Sequence, residues 1–174
     1  MTKRVLKTLY VFSFLLILLF SGCQSNNEPA DIVTDFSANF LSSYRDGEYS
    51  GSISTNRQGV AYISISSPEE LDGINFGYKN GELEMSRENL ICSADEAYLP
   101  QKSFPSLVKS ILDGVSQGRA KLSTQSDSVC TYNLKTDSGD CVITTDKDGK
   151  ITGAEIKNAE LKIEFSEIKA DKTD

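Results

Sequence analysis

The sequence predicts a single α+β domain in which a curved antiparallel β-sheet carries two amphipathic helices on its inner face. Apolar residues recur at helical spacing in two segments, and about eight to ten further segments alternate apolar with polar residues. Turn signals separate successive alternating segments. A chain of 174 residues is long enough for one well-formed core and too short for two. We therefore expect the apolar faces of helices and strands to share one core.

The composition excludes several functional classes. The chain is 39% hydrophobic and 25% charged, which is normal for a folded protein, and it contains no His and no Trp. Without histidine, His-based catalytic triads, Cys–His pairs and imidazole metal sites are excluded. A formal net charge of −7 provides no cationic face for phosphates, so we expect no nucleic-acid partner.

The N-terminus has the pattern of an export signal. Three cations, Lys3, Arg4 and Lys7, precede an apolar run over residues 8–20, which is shorter than the roughly 20 residues that cross a bilayer. The run is followed by Ser21-Gly22-Cys23, which resembles the bacterial lipobox. That resemblance implies attachment of a diacylglyceryl group to the Cys23 thiol, cleavage before Cys23 and acylation of the new amino group, with palmitate or similar chains as the anchor. An uncleaved anchor, or an ordinary export signal with an incidental cysteine, is the alternative.

This pattern divides the chain into three parts. Residues 1–22 are the predicted signal peptide, residues 23–29 the lipidated cysteine with a polar tether, and residues 30–170 the folded domain. Cleavage removes three cations and no acidic residue, which changes the net charge from −7 to −10. We expect the domain to be lipid-anchored on the extracytoplasmic face of the cell membrane, or the periplasmic side in a Gram-negative cell. Its charge would hold it off an anionic bilayer.

Two helices are predicted. The first runs from Pro29 to Tyr44, where apolar residues recur every four positions, and the second follows Ser103. The apolar stripe of the first consists of Ile32, Phe36, Phe40 and Tyr44, and that of the second of Leu107, Val108, Ile111, Leu112 and Val115. Both stripes are typical of helices that pack one face on a sheet.

The remaining segments are predicted to form antiparallel hairpins. Apolar and polar residues alternate from Tyr49 to Met85, where Asn80-Gly81 is a strong hairpin signal. Three further hairpins follow between Cys130 and Phe165. Their register predicts Leu134 opposite Cys141 and Tyr132 opposite Ile143. The inner face of the last two strands is predicted to consist of Thr152, Ala154, Ile156, Leu161, Ile163 and Phe165.

Three cysteines follow Cys23 in the chain. They are Cys92, Cys130 and Cys141, and an odd number cannot pair completely within one chain. Cys130 and Cys141 fall on the inner face of neighbouring strands without lying opposite each other. Buried free thiols are therefore favoured over a bridge between these two.

The sharpest local motif is the stretch from Thr144 to Glu155, which is similar to a calcium-binding loop. Asp146, Asp148, Gly149 and Glu155 occupy positions 3, 5, 6 and 12 of such a loop. Its first position is Thr144 instead of the usual Asp, and the preceding residues alternate like a strand where a calcium loop needs a helix. We therefore predict a hairpin turn here and no metal.

No arrangement of residues indicates catalysis. Ser106 and Ser110 have no histidine to activate them, and Lys109, adjacent to Ser110 in sequence, faces another way on a helix. The acidic pairs Asp95-Glu96 and Glu69-Glu70 are expected on the solvated surface, since nothing places two carboxylates in a groove. We predict no catalytic residue and no cofactor.

The order of elements over residues 30–169 resembles the LolA-like superfamily, which includes outer-membrane lipoprotein carriers and clostridial or other Gram-positive lipoproteins. The likeness is carried by the N-terminal amphipathic segment, the strand pattern Ala61-Tyr-Ile63-Ser-Ile65, Asn80-Gly81, the internal helix and the closing Leu161-Lys-Ile163-Glu-Phe165. It implies an open half-barrel whose concave face is covered by helices.

Two functions remain open from the sequence. One is a non-catalytic interaction module for an exported partner, which is favoured because a net −10 surface suits a basic partner and a large empty cavity would be costly. The other is a carrier or sensor of a lipid or other apolar ligand between sheet and helices. The residues that would line such a cavity, or form an ordinary core, are Phe36, Phe40, Tyr44, Ile63, Ile65, Phe76, Tyr78, Leu107 and Ile111.

Overall fold

The computed structural model describes residues 29–56, 59–98 and 100–170, so Cys23 and the predicted signal segment lie outside the described residues. Within those ranges the chain forms eleven β-strands and one α-helix, α1, at Phe104–Ser116. The strands are β1 Phe36–Tyr44, β2 Gly47–Thr55, β3 Ala61–Ser67, β4 Asn75–Lys79, β5 Glu82–Arg87, β6 Leu90–Asp95, β7 Lys121–Gln125, β8 Val129–Thr136, β9 Gly139–Asp146, β10 Ile151–Ile156 and β11 Leu161–Ala170. Short 3-10 turns lie at Glu69–Leu71, Glu96–Tyr98 and Lys157–Ala159.

All eleven strands belong to one antiparallel sheet, in the order β6-β5-β4-β3-β2-β1-β11-β10-β9-β8-β7. Two meanders, β1–β6 and β7–β11, meet where β1 pairs with β11. Register shifts at Ser50/Gly51 and at Ile151/Gly153 mark bulges, which increase the local twist and bend of a sheet. The sheet is curved and unclosed, with β6 and β7 as its edges, and this form fits a half-barrel.

Helix α1 connects the two edges of the sheet, because it follows β6 and precedes β7. Its apolar side is buried against the inner face of the sheet and consists of Phe104, Pro105, Leu107, Val108, Ile111, Leu112, Gly114 and Val115. The predicted helix after Ser103 is therefore confirmed. The described residues include no helix that has both the length and the apolar character needed to cross a bilayer.

The predicted fold class, with two helices on the concave face, is wrong in its first helix. Residues 36–44 form the central strand β1, which pairs with β2 on one side and β11 on the other. Apolar residues spaced four apart lie on one face of a helix, and they also lie on one face of a strand with a single inward position between each two. The intervening inward positions hold the small residues Ala38 and Ser42, both buried, while Leu41 is 58% exposed. Pairing with the adjacent strand β2 and with the distant strand β11 decided the conformation.

The predicted register of the closing hairpins is confirmed with one exception. Leu134 lies opposite Cys141, and Tyr132 lies opposite Ile143. The exception is Thr152, because the bulge at Ile151/Gly153 turns Ile151 inward instead, leaving it 1% exposed. Downstream of the bulge the predicted inner face holds: Ala154, Ile156, Leu161, Ile163 and Phe165 are all buried.

The three cysteines within the described residues are free thiols. Cys130 lies opposite Thr145 and Cys141 lies opposite Leu134, so these two thiols do not face each other across the ladder. Both are buried, whereas Cys92 on β6 is exposed. Burial raises the pKa of the Cys141 thiol to about 12, which keeps it protonated and unreactive at neutral pH.

Candidate functional site

The nine residues predicted to line a cavity or a core come together on the inner face of the sheet. Eight of them are buried in one continuous apolar cluster, and Phe76 is partly buried against its margin. Ile63 from β3 and Leu107 from α1 are 1% and 0% exposed. The same cluster continues into β8–β11, so these residues belong to the core that holds α1 on the sheet.

An aromatic group fixes the start of α1. The ring of Phe104 stacks on Tyr49 with centroids 5.0 Å apart, and it also contacts Phe40 at 5.7 Å and Tyr44 at 6.1 Å. The Tyr44 hydroxyl donates a hydrogen bond to the carbonyl of Lys102, just before the helix. These contacts hold the helix against β1 and β2. Its polar side faces the β4–β5 turn, the end of β6 and the β8–β9 turn.

That polar side forms one wall of a cleft of about 690 Å³. The other walls are the β4–β5 turn, the end of β6 with the following 3-10 turn, and the β8–β9 turn. The charged side chains that line the cleft are Glu82, Asp95, Glu96, Asp113 and Asp137, together with Lys109. Segments far apart in the chain thus bring five carboxylates and one cation together.

The single lysine in the cleft is already engaged. Its Nζ lies 2.5 and 2.6 Å from the two carboxylate oxygens of Asp113, one helical turn away, and 5.8 Å from the centre of the Tyr78 ring. Within the described part of the chain, no ion pair engages the other four cleft carboxylates. The cleft therefore presents a negative field to solvent.

Tyr78 contributes a buried polar group to the same cleft. The residue is 1% exposed, and its hydroxyl lacks a hydrogen-bond partner of acceptable geometry among the described residues. Burial raises the pKa of Tyr78 to about 12; the nearby Ser106 hydroxyl opposes this shift, and the charges of Glu96 and Asp113 add to it. The hydroxyl is not in contact with solvent, so Tyr78 stays protonated at neutral pH and closes the cleft without adding a charge.

The raised pKa of Tyr78 predicts a loss of stability in alkali. The pKa of Tyr78 is higher in the folded chain than the ordinary value of 10.0, because the protein favours the protonated phenol. The contribution of this phenol to the free energy of unfolding is therefore complete below about pH 10 and is lost as the pH rises towards 12. We expect Tyr78→Phe to lose less stability than the wild type between these pH values in urea titrations followed by circular dichroism. Tyr62→Phe, on an exposed ring, should follow the wild type; a parallel decline of all three proteins would contradict this assignment.

The hydroxyls near the cleft are used within the helix. The Ser110 hydroxyl donates to the carbonyl of Leu107 at 2.8 Å, and the hydroxyls of Ser103 and Ser106 lie 2.8 Å apart. The amine of Lys109 contacts Asp113, as its position on the helix requires. In these contacts neither Ser106 nor Ser110 is paired with the Lys109 amine.

The calcium-like stretch is a β-hairpin turn, as predicted. A carboxylate oxygen of Asp146 accepts hydrogen bonds from the backbone amides of Asp148 and Lys150, both at 2.9 Å. Thr144 lies within β9 and Glu155 within β10, on two paired strands. In the described ranges, no group of three or more Cys, Asp or Glu side chains is placed to hold a metal ion.

We expect millimolar calcium to leave the melting temperature unchanged, because the Asp146 carboxylate is occupied by its own backbone. Asp146→Ala should lower the free energy of unfolding by about 1–2 kcal/mol, equally with calcium and with a chelator. Thermal melts followed by circular dichroism measure both effects. A rise of several degrees with calcium in the wild type, absent in Asp146→Ala, would show a calcium site instead.

Comparison with known proteins gives a likeness in fold. No protein-family model and no curated protein matches this chain. An uncharacterized conserved protein from Thermus thermophilus superposes with a TM-score of 0.50 at 10% identity, covering 83% of each chain. A LolA superfamily protein, NE2245 from Nitrosomonas europaea, superposes with a TM-score of 0.42 at 10% identity, covering 85% of this chain and 91% of that one. The first similarity shows a shared fold alone.

Proposed function

We propose that this protein is a lipid-anchored, extracytoplasmic interaction module, without catalytic activity, that binds a basic segment of an exported partner protein in the cleft beside α1. The acidic cleft is the observation that carries the proposal. Its field attracts ammonium and guanidinium groups and steers a basic segment toward it.

The lining of the cleft supports a peptide more than a small ion. Its acidic groups come from three separate places, the β4–β5 turn, the end of β6 and the β8–β9 turn. Carboxylates spread along a groove suit several cations spaced along a chain. The Lys109–Asp113 ion pair keeps the helix side of the groove neutral. The four remaining carboxylates are available to the cations of the partner: Glu82, Asp95, Glu96 and Asp137.

A short lysine-rich peptide carrying a fluorophore is the probe for this function. Fluorescence anisotropy with the full chain in a non-ionic detergent should show binding that weakens as salt is raised. The triple variant Glu82→Gln, Asp95→Asn, Asp137→Asn removes three cleft charges and should bind about tenfold more weakly.

The matched control removes three charges elsewhere. Glu69, Glu70 and Asp72 are exposed in the β3–β4 connection and do not line the cleft. The variant Glu69→Gln, Glu70→Gln, Asp72→Asn should bind the peptide within about twofold of the wild type, because charges distant from the bound peptide are screened. An equal loss in both triple variants would mean that net charge alone attracts the peptide, and the cleft would not be the site.

The membrane anchor is tested separately. Acylation of Cys23 predicts that the chain sediments with membranes and gains the mass of its acyl chains. Cys23→Ala should appear in the soluble extracytoplasmic fraction without added mass. If Cys23→Ala still fractionates with membranes, the segment before it is an uncleaved anchor and the lipobox assignment is wrong.

A carrier of a lipid or other apolar ligand is the second candidate. It is supported by the inner face near β5, where Met85 is 41% exposed beside the partly buried Phe76. Native mass spectrometry of the protein purified without added lipid distinguishes the candidates. A stoichiometric lipid that leaves when Met85 is changed to Asp would favour the carrier, whereas a ligand-free mass together with peptide binding in the cleft favours the interaction module.

A further inference from the structure

The edge strand β6 is open along its whole length in the described part of the chain. All six of its residues are exposed, with Leu90 at 78% and Ile91 at 68%, and it pairs there only with β5. An edge strand with unpaired backbone groups and exposed apolar side chains is a template for another strand. Residues 90–94 carry no charge, in a chain of formal net charge −7.

The other edge, β7, has features that hinder such pairing. Lys121 begins the strand, and a register shift between Leu122 and Thr124 interrupts its ladder with β8. Charged residues and bulges are the usual protection of an edge. In contrast, β6 pairs with β5 without a register shift from Leu90 to Asp95, and residues 90–94 include neither Lys nor Pro.

The hydrogen-bond pattern shows which backbone groups of β6 are free to pair. The amide of Glu96 donates to the carbonyl of Gly81 at 3.0 Å, which makes Glu82 and Asp95 a non-hydrogen-bonded pair. Because the two kinds of pair alternate, the backbone of Cys92 bonds to Met85 on β5. The amides and carbonyls of Ile91 and Ser93 therefore point to the open side.

We propose that β6 is an interface at which a second copy of this chain pairs in antiparallel fashion about a two-fold axis through Cys92. In this register Cys92 lies opposite the partner's Cys92, and Ile91 exchanges backbone hydrogen bonds with the partner's Ser93. Leu90 lies opposite the partner's Ala94. Residues 90–94 are uncharged, so no like charges face each other along this stretch. The contact is isologous, as in most dimers.

The axis position follows from charge and from hydrogen bonding together. Centring the axis on Cys92 pairs the full uncharged stretch 90–94 with itself, whereas a shift of the axis to Ser93 places Leu90 opposite the acidic Glu96. An axis through Cys92 also makes Cys92 and the partner's Cys92 a non-hydrogen-bonded pair, with Cα atoms about 4.5 Å apart. That separation lies within the range that a disulfide spans, about 4.4–6.8 Å.

Thiol crosslinking of the full chain in a non-ionic detergent tests the pairing. Diamide oxidises two thiols to one disulfide and is itself reduced to the hydrazine, with the two hydrogens transferred to its N=N bond. We expect a species of twice the chain mass on non-reducing gels, and it should disappear in Cys92→Ser. Because Cys130 and Cys141 are buried, a crosslink that remains in Cys92→Ser is assigned to chains whose Cys23 thiol has not been lipidated.

Three further variants, each made in the Cys92→Ser background, test the register. Leu90→Cys and Ala94→Cys chains should crosslink when mixed and should not crosslink alone, because each faces the other across the axis. Ser93 is also exposed, but a cysteine there lies two residues along the strand from its own counterpart, beyond disulfide reach. No crosslink at Cys92 above the Cys92→Ser level, or an equal yield from Ser93→Cys, would overturn the proposal.

A charge on the strand should break the contact without harming the fold. Ile91→Lys places a cation on each copy at an exposed position, and we expect the Cys92 crosslink to fall about tenfold, since charge on an edge opposes pairing. Leu41→Lys is the matched control, because Leu41 is 58% exposed on the central strand β1. It should crosslink like the wild type, and circular dichroism should show the same strand content in both; an unchanged yield in Ile91→Lys would refute pairing through β6.

Discussion

Replacing Gly51 by alanine is expected to lower the free energy of unfolding by about 3 kcal/mol or more, a large part of the roughly 5–15 kcal/mol that stabilises a typical domain. A Cβ atom on Gly51 would lie 1.8 Å from the carbonyl oxygen of Ser64 on β3 and 3.1 Å from a ring carbon of Phe40 on β1. The carbonyl belongs to the backbone, so it yields only if β2 and β3 separate at the bulge. Urea unfolding followed by circular dichroism measures the loss.

Gly77→Ala is the control for a glycine in a strand of the same sheet. There a Cβ atom would lie 3.1 Å from a ring carbon of Tyr62, which is 56% exposed and free to turn away. We expect a change within about 0.5 kcal/mol for this substitution. If Gly51→Ala were as mild as Gly77→Ala, the close approach of β2 and β3 at Gly51 would be wrong.

Gly114→Ala should destabilise the protein by about 1–3 kcal/mol, although alanine favours an exposed helix by about 1 kcal/mol over glycine. Gly114 lies on the buried side of α1, where an added Cβ atom would meet Leu134 of β8 at 2.5 Å. Leu134 is 1% exposed and has no space to move into. The packing of α1 on β8 therefore outweighs the intrinsic preference of the helix.

A double-mutant cycle isolates this contact. Leu134→Ala alone should cost about 2–5 kcal/mol through the lost side chain and the cavity that remains. In that background Gly114→Ala should be neutral or stabilising, since the new methyl group fills part of the space. Equal effects of Gly114→Ala in the two backgrounds would show that α1 does not approach β8 at this position.

The two edge strands, β6 and β7, were the elements that the sequence pattern predicted least well. Every residue of β6 and β7 is exposed, so neither strand shows the alternation of buried and exposed positions that marked the other strands. A strand at the rim of the sheet buries few side chains against α1. Its residues therefore need not alternate between apolar and polar, and the sequence pattern does not indicate a strand. The open edge at β6 therefore became visible only with the tertiary structure.

The acidic cleft could not be predicted from the sequence either. Asp95-Glu96 was expected on the solvated surface, yet both residues line the cleft together with Glu82 and Asp137. These residues are distant in the chain, and α1 brings their segments together by joining the two edges of the sheet. Nothing in the local pattern at any one of them records the others.

The sequence by itself determined the features that depend on near neighbours. The Asn80-Gly81 turn, the helix after Ser103 and the register of β8 with β9 all follow from local turn chemistry and from alternation along one strand. Tertiary structure decided the conformation of residues 36–44, because a four-residue apolar period suits helix and strand alike. Only hydrogen bonding to β2 and to β11, over a hundred residues away, makes that segment the central strand of the sheet.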